Sequence, residues 1–155
     1  VTGGSLIFNN AQFSPAGNLT PANAQTPFTL DFVNGTGIAF AAGGAGNTGI
    51  SILPNSLYLV NYTFGINYEP TSADISSAQA LLRLNGAAVH LSALAQYAAP
   101  TGATGTLTLT SGGLLRTDNA ASYVITIDNT LAGVPTLTSA TFDPILSNLS
   151  IMQIM

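Results

Sequence analysis

LYLVNYTFGINY, residues 57–68, alternates without a break. In an extended chain, successive side chains point to opposite faces. Tyr58, Val60, Tyr62, Phe64, Ile66 and Tyr68 therefore share one face, and Leu57, Leu59, Asn61, Thr63, Gly65 and Asn67 share the other. The stretch predicts one long β-strand, well past the usual length of about five or six residues.

The segments around it follow the same period of two, between clusters of Gly, Pro, Asn and Ser. SLIFNN (5–10), FTLDFV (28–33), TGIAFA (36–41), GISIL (49–53), AQALLRL (78–84), AAVHLSAL (87–94), GTLTLT (105–110), SYVITID (122–128) and NLSIMQI (148–154) all read as strands. Asn34-Gly35 and Asn85-Gly86 each predict a tight hairpin turn, because Asn and Gly tolerate positive φ. Residues 16–27 read as an irregular excursion. Residues 41–49 and 94–106 read as loops, and 71–80 as a loop entering a strand. About eight to ten strands at this spacing predict an all-β antiparallel two-sheet sandwich or barrel. The length of 155 residues suits a single domain over 1–155, with no linker visible.

Only 5% of residues are charged, against about 25% in an ordinary soluble domain. Arg83 and Arg116 are the only strong cations, and the net charge is -4. That balance argues against nucleic acid, whose phosphates need clustered cations, and against a basic membrane-surface helix. A hydrophobic content of 46% is enough for a core. No run of about 18 apolar residues exists, so no membrane-spanning helix is expected. The first residues, VTGG, carry no basic start or long apolar region, so the chain reads as a mature domain cut from something longer. Cys is absent, which excludes disulfides and leaves the redox compartment open.

Reactive groups are few. His90 is the only histidine; with Ser92 and the aspartates it lacks a Gly-x-Ser-x-Gly elbow, so no catalytic triad is expected. One His and no Cys exclude the usual zinc sets. No pair among Asp31, Glu69, Asp74, Asp118, Asp128 and Asp143 stands out as a glycosidase pair. Calcium takes Asp, Asn and backbone oxygens, but no spaced Asp-x-Asp-x-Asp loop is present. Gly43, Gly44 and Gly46 do not open a helix after a strand, so no phosphate cradle is expected. Arg83, flanked by leucines, reads as a half-buried partner for an aspartate or a rim residue at an interface, and Arg116 as a solvated turn residue; either could anchor a ligand, with a structural role the preferred reading. Asn18, Asn34, Asn61 and Asn148 match Asn-x-Ser/Thr, as expected by chance in so Asn- and Thr-rich a chain. The chain is expected not to be an enzyme and to need no cofactor or metal.

Two strands are apolar on both faces. In the last one, Leu149 and Ile151 back onto Met152 and Ile154; at the start of the long one, Leu57 and Leu59 back onto Tyr58 and Val60. A free-standing antiparallel sandwich leaves one face of each sheet wet. Apolar residues on both faces predict a sheet covered twice, once by its partner sheet and once by a neighbouring copy. Leu57, Leu59, Met152 and Ile154 are the candidates for that contact, or else Tyr58 and Tyr62; the pattern does not choose the inward face.

ISILPNSLYLVNYTFGINY (50–68) resembles the central strand pair of the tumour-necrosis-factor-like jelly rolls, which include the complement globular heads. Pro54 and Tyr58 match the family's pattern, and Ser56 stands where it usually has Gly. LLRLNGAAV (81–89) and GTLTLTSGGLLRTDNAASYVITI (105–127) resemble the strands that follow, and SATFDPILSNLSIMQI (139–154) the closing strand, without the usual Phe-Ser-Gly-Phe. With its low charge and missing Cys, the chain resembles the C-terminal domains of BclA-type bacterial collagen-like glycoproteins of the exosporium more than the animal branch of the family. The resemblance implies a jelly roll of about ten strands, a homotrimer, and a place at the tip of an extracellular, collagen-like spore surface filament, with adhesion to a host surface protein or glycan as an added role. The competing reading is a carbohydrate- or receptor-binding module of a phage fibre or cell-surface protein. Against it, Trp is absent and Tyr97 is the only aromatic in the 94–106 loop.

Overall fold

The computed structural model describes residues 9–16, 24–42, 45–70, 75–98, 105–120, 122–133 and 137–155. Twelve strands lie among them: β1 (Asn10–Pro15), β2 (Ala24–Gln25), β3 (Phe28–Asn34), β4 (Ile38–Phe40), β5 (Ile50–Ile52), β6 (Leu57–Pro70), β7 (Ile75–Leu84), β8 (Ala87–Ala98), β9 (Gly105–Arg116), β10 (Tyr123–Gly133), β11 (Leu137–Phe142) and β12 (Asn148–Gln153). They form two six-stranded antiparallel sheets in the arrangement of a jelly roll.

In the first sheet β6 is central. One edge of β6 pairs with β9 along its length, and the other is shared by β12 and β11; β1 and then β3 continue beyond β12. The second sheet runs β4-β5-β10-β7-β8, with β2 also alongside β10. The core lies between the sheets. The aromatic face of β6 supplies its centre: Tyr58, Val60, Tyr62, Phe64 and Ile66 are all buried. Opposite them lie Leu82, Ile125 and Ile127 of the second sheet. The Tyr62 and Phe64 rings stack at 5.0 Å, and Phe142 meets Phe64 edge-on at 5.5 Å, geometries that suit the ring quadrupoles. The tyrosines enter this core because their hydroxyls find backbone partners. Tyr62 donates to the Leu91 carbonyl at 2.9 Å, and Tyr58 accepts from the Leu53 N–H at 2.8 Å.

Several expectations need correction. Asn34-Gly35 is not a hairpin: β3 stays in the first sheet and β4 joins the second. Asn85-Gly86 is one, with φ 49° and 81° as a type I′ turn requires. At the other site only Gly35 has positive φ. There the chain folds around Asn9, whose side-chain oxygen accepts the Gly37 N–H at 2.9 Å, and crosses between sheets. The 41–49 stretch holds a 3-10 turn, Ala45–Asn47, and β2 lies inside the expected 16–27 excursion. From Ile75 the expected 71–80 loop is strand β7, its ladder to β10 running as far as Ser76↔Gly133. The 94–106 loop gives way to β8 as far as Ala98, which places Tyr97 in a strand. β9 continues past Thr110 to Arg116, so that arginine is a strand residue, paired with Leu57. β11 and most of β1 were not expected as strands; residues 5–8 of the expected first strand lie outside the described residues, as do Asn18, Gly43, Gly44 and Asp74.

Candidate functional site

The outward face of the first sheet is the most distinctive surface. Its composition follows from register. Residues directly opposite one another in a ladder share a face, and β6 pairs Leu59 with Leu114 of β9 on one side and with Met152 of β12 on the other. An apolar row thus crosses three strands. Beyond Met152 the row turns polar, with Asn10 of β1 and then Asn34 of β3. One step along, Leu57 lies opposite Arg116, with Ile154 just past the end of β12. Leu114 is 63% exposed, Met152 41% and Ile154 42%; Leu57 and Leu59 are half-buried.

The other half of the same face is polar. Thr63 lies opposite Thr110 and Asn148, and Asn67 lies opposite Thr106. Thr106 donates to Asn67 Oδ1 at 2.8 Å, and Asn67 donates to Asp143 Oδ2 at 3.2 Å. Asp143 Oδ1 also accepts the N–H groups of Ile145 and Leu146. The Ile145 N–H, the largest of these influences, and the Asn67 bond hold its carboxyl below the usual range. Between the halves a shallow groove of about 280 Å³ runs past Gln12, Phe32, Ser150 and Met152.

Of the six residues read from sequence as contact candidates, Leu57, Leu59, Met152 and Ile154 lie together on this face. Tyr58 and Tyr62 do not: they are sealed in the core of the one chain, so the aromatic alternative is removed. Two contributors were missed. Phe32 is exposed on β3, and Leu114 was hidden because the alternation of GTLTLT was not carried through Gly112-Gly113. A Cβ on Gly113 would come within 2.8 Å of the Leu91 side chain, and one on Gly112 would run into Asn61. The glycines preserve the ladder where side chains have no room, and the period resumes with Leu115 inward and Leu114 outward.

The remaining candidates are scattered. His90 is exposed on β8, and the Ser92 side chain lies outside the described residues. Arg83 is the half-buried partner expected, its Nε 2.5 Å from Asp128 Oδ2 across the second sheet. Asp118 is exposed beyond β9, where it accepts the Tyr123 hydroxyl and, at 3.0 Å, the Ala120 N–H. The Tyr123 bond is the main cause of a lowered Asp118 pKa and a raised Tyr123 pKa. Among the described residues, no three His, Cys, Asp or Glu side chains gather as a metal set.

No family model matches the chain, and no curated protein matches it. Solved structures do. The chain is similar to murine APRIL, with a TM-score of 0.59 at 11% identity over 95% of this chain and 99% of that one. It is also similar to Eiger TNF from S. frugiperda, with a TM-score of 0.55 at 11% identity over 96% of this chain and 93% of that one. At such identities the likeness is one of fold, and the fold is the TNF-like jelly roll.

Proposed function

We propose that this chain is an assembly domain that closes into a homotrimer through the outward face of its β6 sheet. The observation that carries this reading is the apolar row Leu114, Leu59 and Met152, with Leu57 and Ile154 beside it, left partly open to water on a chain with so few charges. Covering it removes apolar area from water at roughly 25 cal/mol per Å². The row begins on β9, while the groove past Phe32 and Met152 lies toward β3. A contact between two unlike patches is heterologous, and it closes as a ring where the rotation between copies closes.

In the fuller form of the proposal, the domain caps a collagen-like filament on a bacterial spore surface, the exosporium, where it aligns three stalk chains and presents a surface for adhesion. Support for that setting comes from the sequence resemblance at 50–68 and 139–154 and from the low charge. A structural cap exposed to proteases also gains from having no Lys and only two Arg, both of them in strand ladders. Assembly and binding, not catalysis, are the role assigned.

Sedimentation or native mass spectrometry at low concentration tests the assembly. The expected mass is three times 15.7 kDa. A monomer at every concentration tried removes the proposal.

A further inference from the structure

One end of the sandwich carries a cleft of about 330 Å³ between the β5–β6 and β9–β10 connections. Its floor is built from Ser56 and Thr117, both buried. The Thr117 N–H donates to the Ser56 carbonyl at 2.9 Å, the Ser56 N–H donates to Thr117 Oγ1 at 2.9 Å, and that hydroxyl donates to the Leu53 carbonyl at 2.9 Å. Asn55, held at φ 51°, donates its N–H to the Asp118 carbonyl at 2.7 Å. The two connections are thus stitched together, and the cleft is a fixed shape. Ser56, where the resembled family usually has Gly, is also the hydroxyl that accepts from Gln153 Nε2 at 3.1 Å.

The rim is different. Asn55, Arg116 and Asn119 are exposed there, and among the described residues none of their side chains makes a hydrogen bond or an ion pair. This is notable for Arg116, because the chain has only two strong cations and Arg83 is already taken by Asp128. Asp118 is two residues away but does not pair with it. Instead its Oδ1 is engaged by Tyr123 and Ala120, and Oδ2 takes neither bond. One planar guanidinium, two amides and a carboxylate oxygen therefore border the same cleft without partners among the described residues.

We propose that this cleft binds an acidic monosaccharide unit of the hexuronate type. Arg116 meets the sugar carboxylate with two parallel N–H···O bonds, the geometry its planar fork favours. Asn55, Asn119 and Asp118 Oδ2 supply the donors and acceptor that vicinal hydroxyls need, and Met155 offers an apolar surface to the C–H face of the ring. A polyanion does not fit, since one cation in a chain of net charge -4 cannot offset several phosphates. A neutral sugar leaves the guanidinium unmatched. The cleft is lined by residues of one chain and borders the face proposed for assembly, since Arg116 lies opposite Leu57; the titration reads the cleft and the mass reads the assembly.

The test is titration of the full chain with glucuronate, glucose and acetate, followed by calorimetry and amide chemical shifts. Glucuronate is expected to bind saturably in the millimolar range, shifting resonances of residues 55, 56 and 116–119, with glucose and acetate each about tenfold weaker or more. Arg116→Gln is expected to weaken glucuronate about tenfold or more and leave glucose unchanged. Arg116→Lys keeps the charge, loses the fork, and is expected to fall between. Asn119→Ala, an exposed change, is expected to weaken glucuronate but not acetate. Absence of saturation, equal binding of acetate or of glucose, or an unchanged affinity in Arg116→Gln overturns the proposal.

Discussion

The two faces of β6 meet different surroundings. Inward, Tyr58, Val60, Tyr62, Phe64 and Ile66 are each at most 1% exposed. Outward, Leu57 and Leu59 stay half-buried, and the face then turns polar through Asn61, Thr63 and Asn67. The more polar side chains, the tyrosines, are thus the better buried. What decides is the partner each face finds. Tyr62 has a carbonyl for its hydroxyl and an aromatic stack for its ring, whereas the outward leucines lie beside Leu114, Met152, Arg116 and Ile154 and stay partly open to water. A buried polar atom that is satisfied costs little, and an apolar one left at the surface still gains from being covered. The inward face accounts for the fold and the outward face for the proposed assembly.

That contrast can be broken from either side. The largest expected effect is from Tyr62→Ala, which removes the ring and leaves a cavity beside Phe64. Truncating a buried aromatic costs about 3–5 kcal/mol, read from the urea midpoint of the chain. Loss of less than about 1 kcal/mol would mean that the inward face is not the tightly packed one.

A milder challenge is alkaline pH. Burial raises the Tyr62 phenol to about 12, with the Ser111 side chain opposing it, and burial also raises Tyr58. A folded pKa above the unfolded value of 10.0 means that the neutral phenol is favoured by folding. Its contribution is fully present below pH 10.0 and is lost as pH rises through about 12. Phenolate absorbance is expected to lag behind that of free tyrosine and then to rise together with loss of the β-sheet dichroism. Titration of all five tyrosines near the free value, with the fold intact, would contradict the burial.

The smallest effect on the subunit itself is expected from Leu114→Glu with Met152→Glu. Exposed substitutions change fold stability by only about 0.5 kcal/mol, so the circular dichroism spectrum is expected to hold. The mass is expected to drop from three chains to one, because three copies of two carboxylates cannot be brought together without water. An unchanged trimer would move the contact to another face.

The two Asn-Gly steps mark how far the sequence could be read. Both satisfy the same local rule, and Asn85-Gly86 obeys it, since the strands on either side belong to one sheet. At Asn34-Gly35 the same dipeptide carries the chain to the other sheet around Asn9, a contact 25 residues or more away in sequence that no window on the dipeptide contains. β9 teaches the same lesson differently. Its alternation was legible to Thr110, and Gly112-Gly113 hid the rest, although the glycines are there because Asn61 and Leu91 approach from both sides. The cleft beside Arg116 was not legible at all, because it is made where residues 55–56 and 116–119 are tied together by hydrogen bonds across 61 positions.

By itself the sequence determined the antiparallel β character, the long central strand and the existence of apolar residues on both its faces, since each is a matter of local period. Only the tertiary structure decided which face turned inward. A period of two is symmetric between its faces, and the choice falls to packing between sheets, which gave the tyrosine hydroxyls their carbonyls and left the leucines outside.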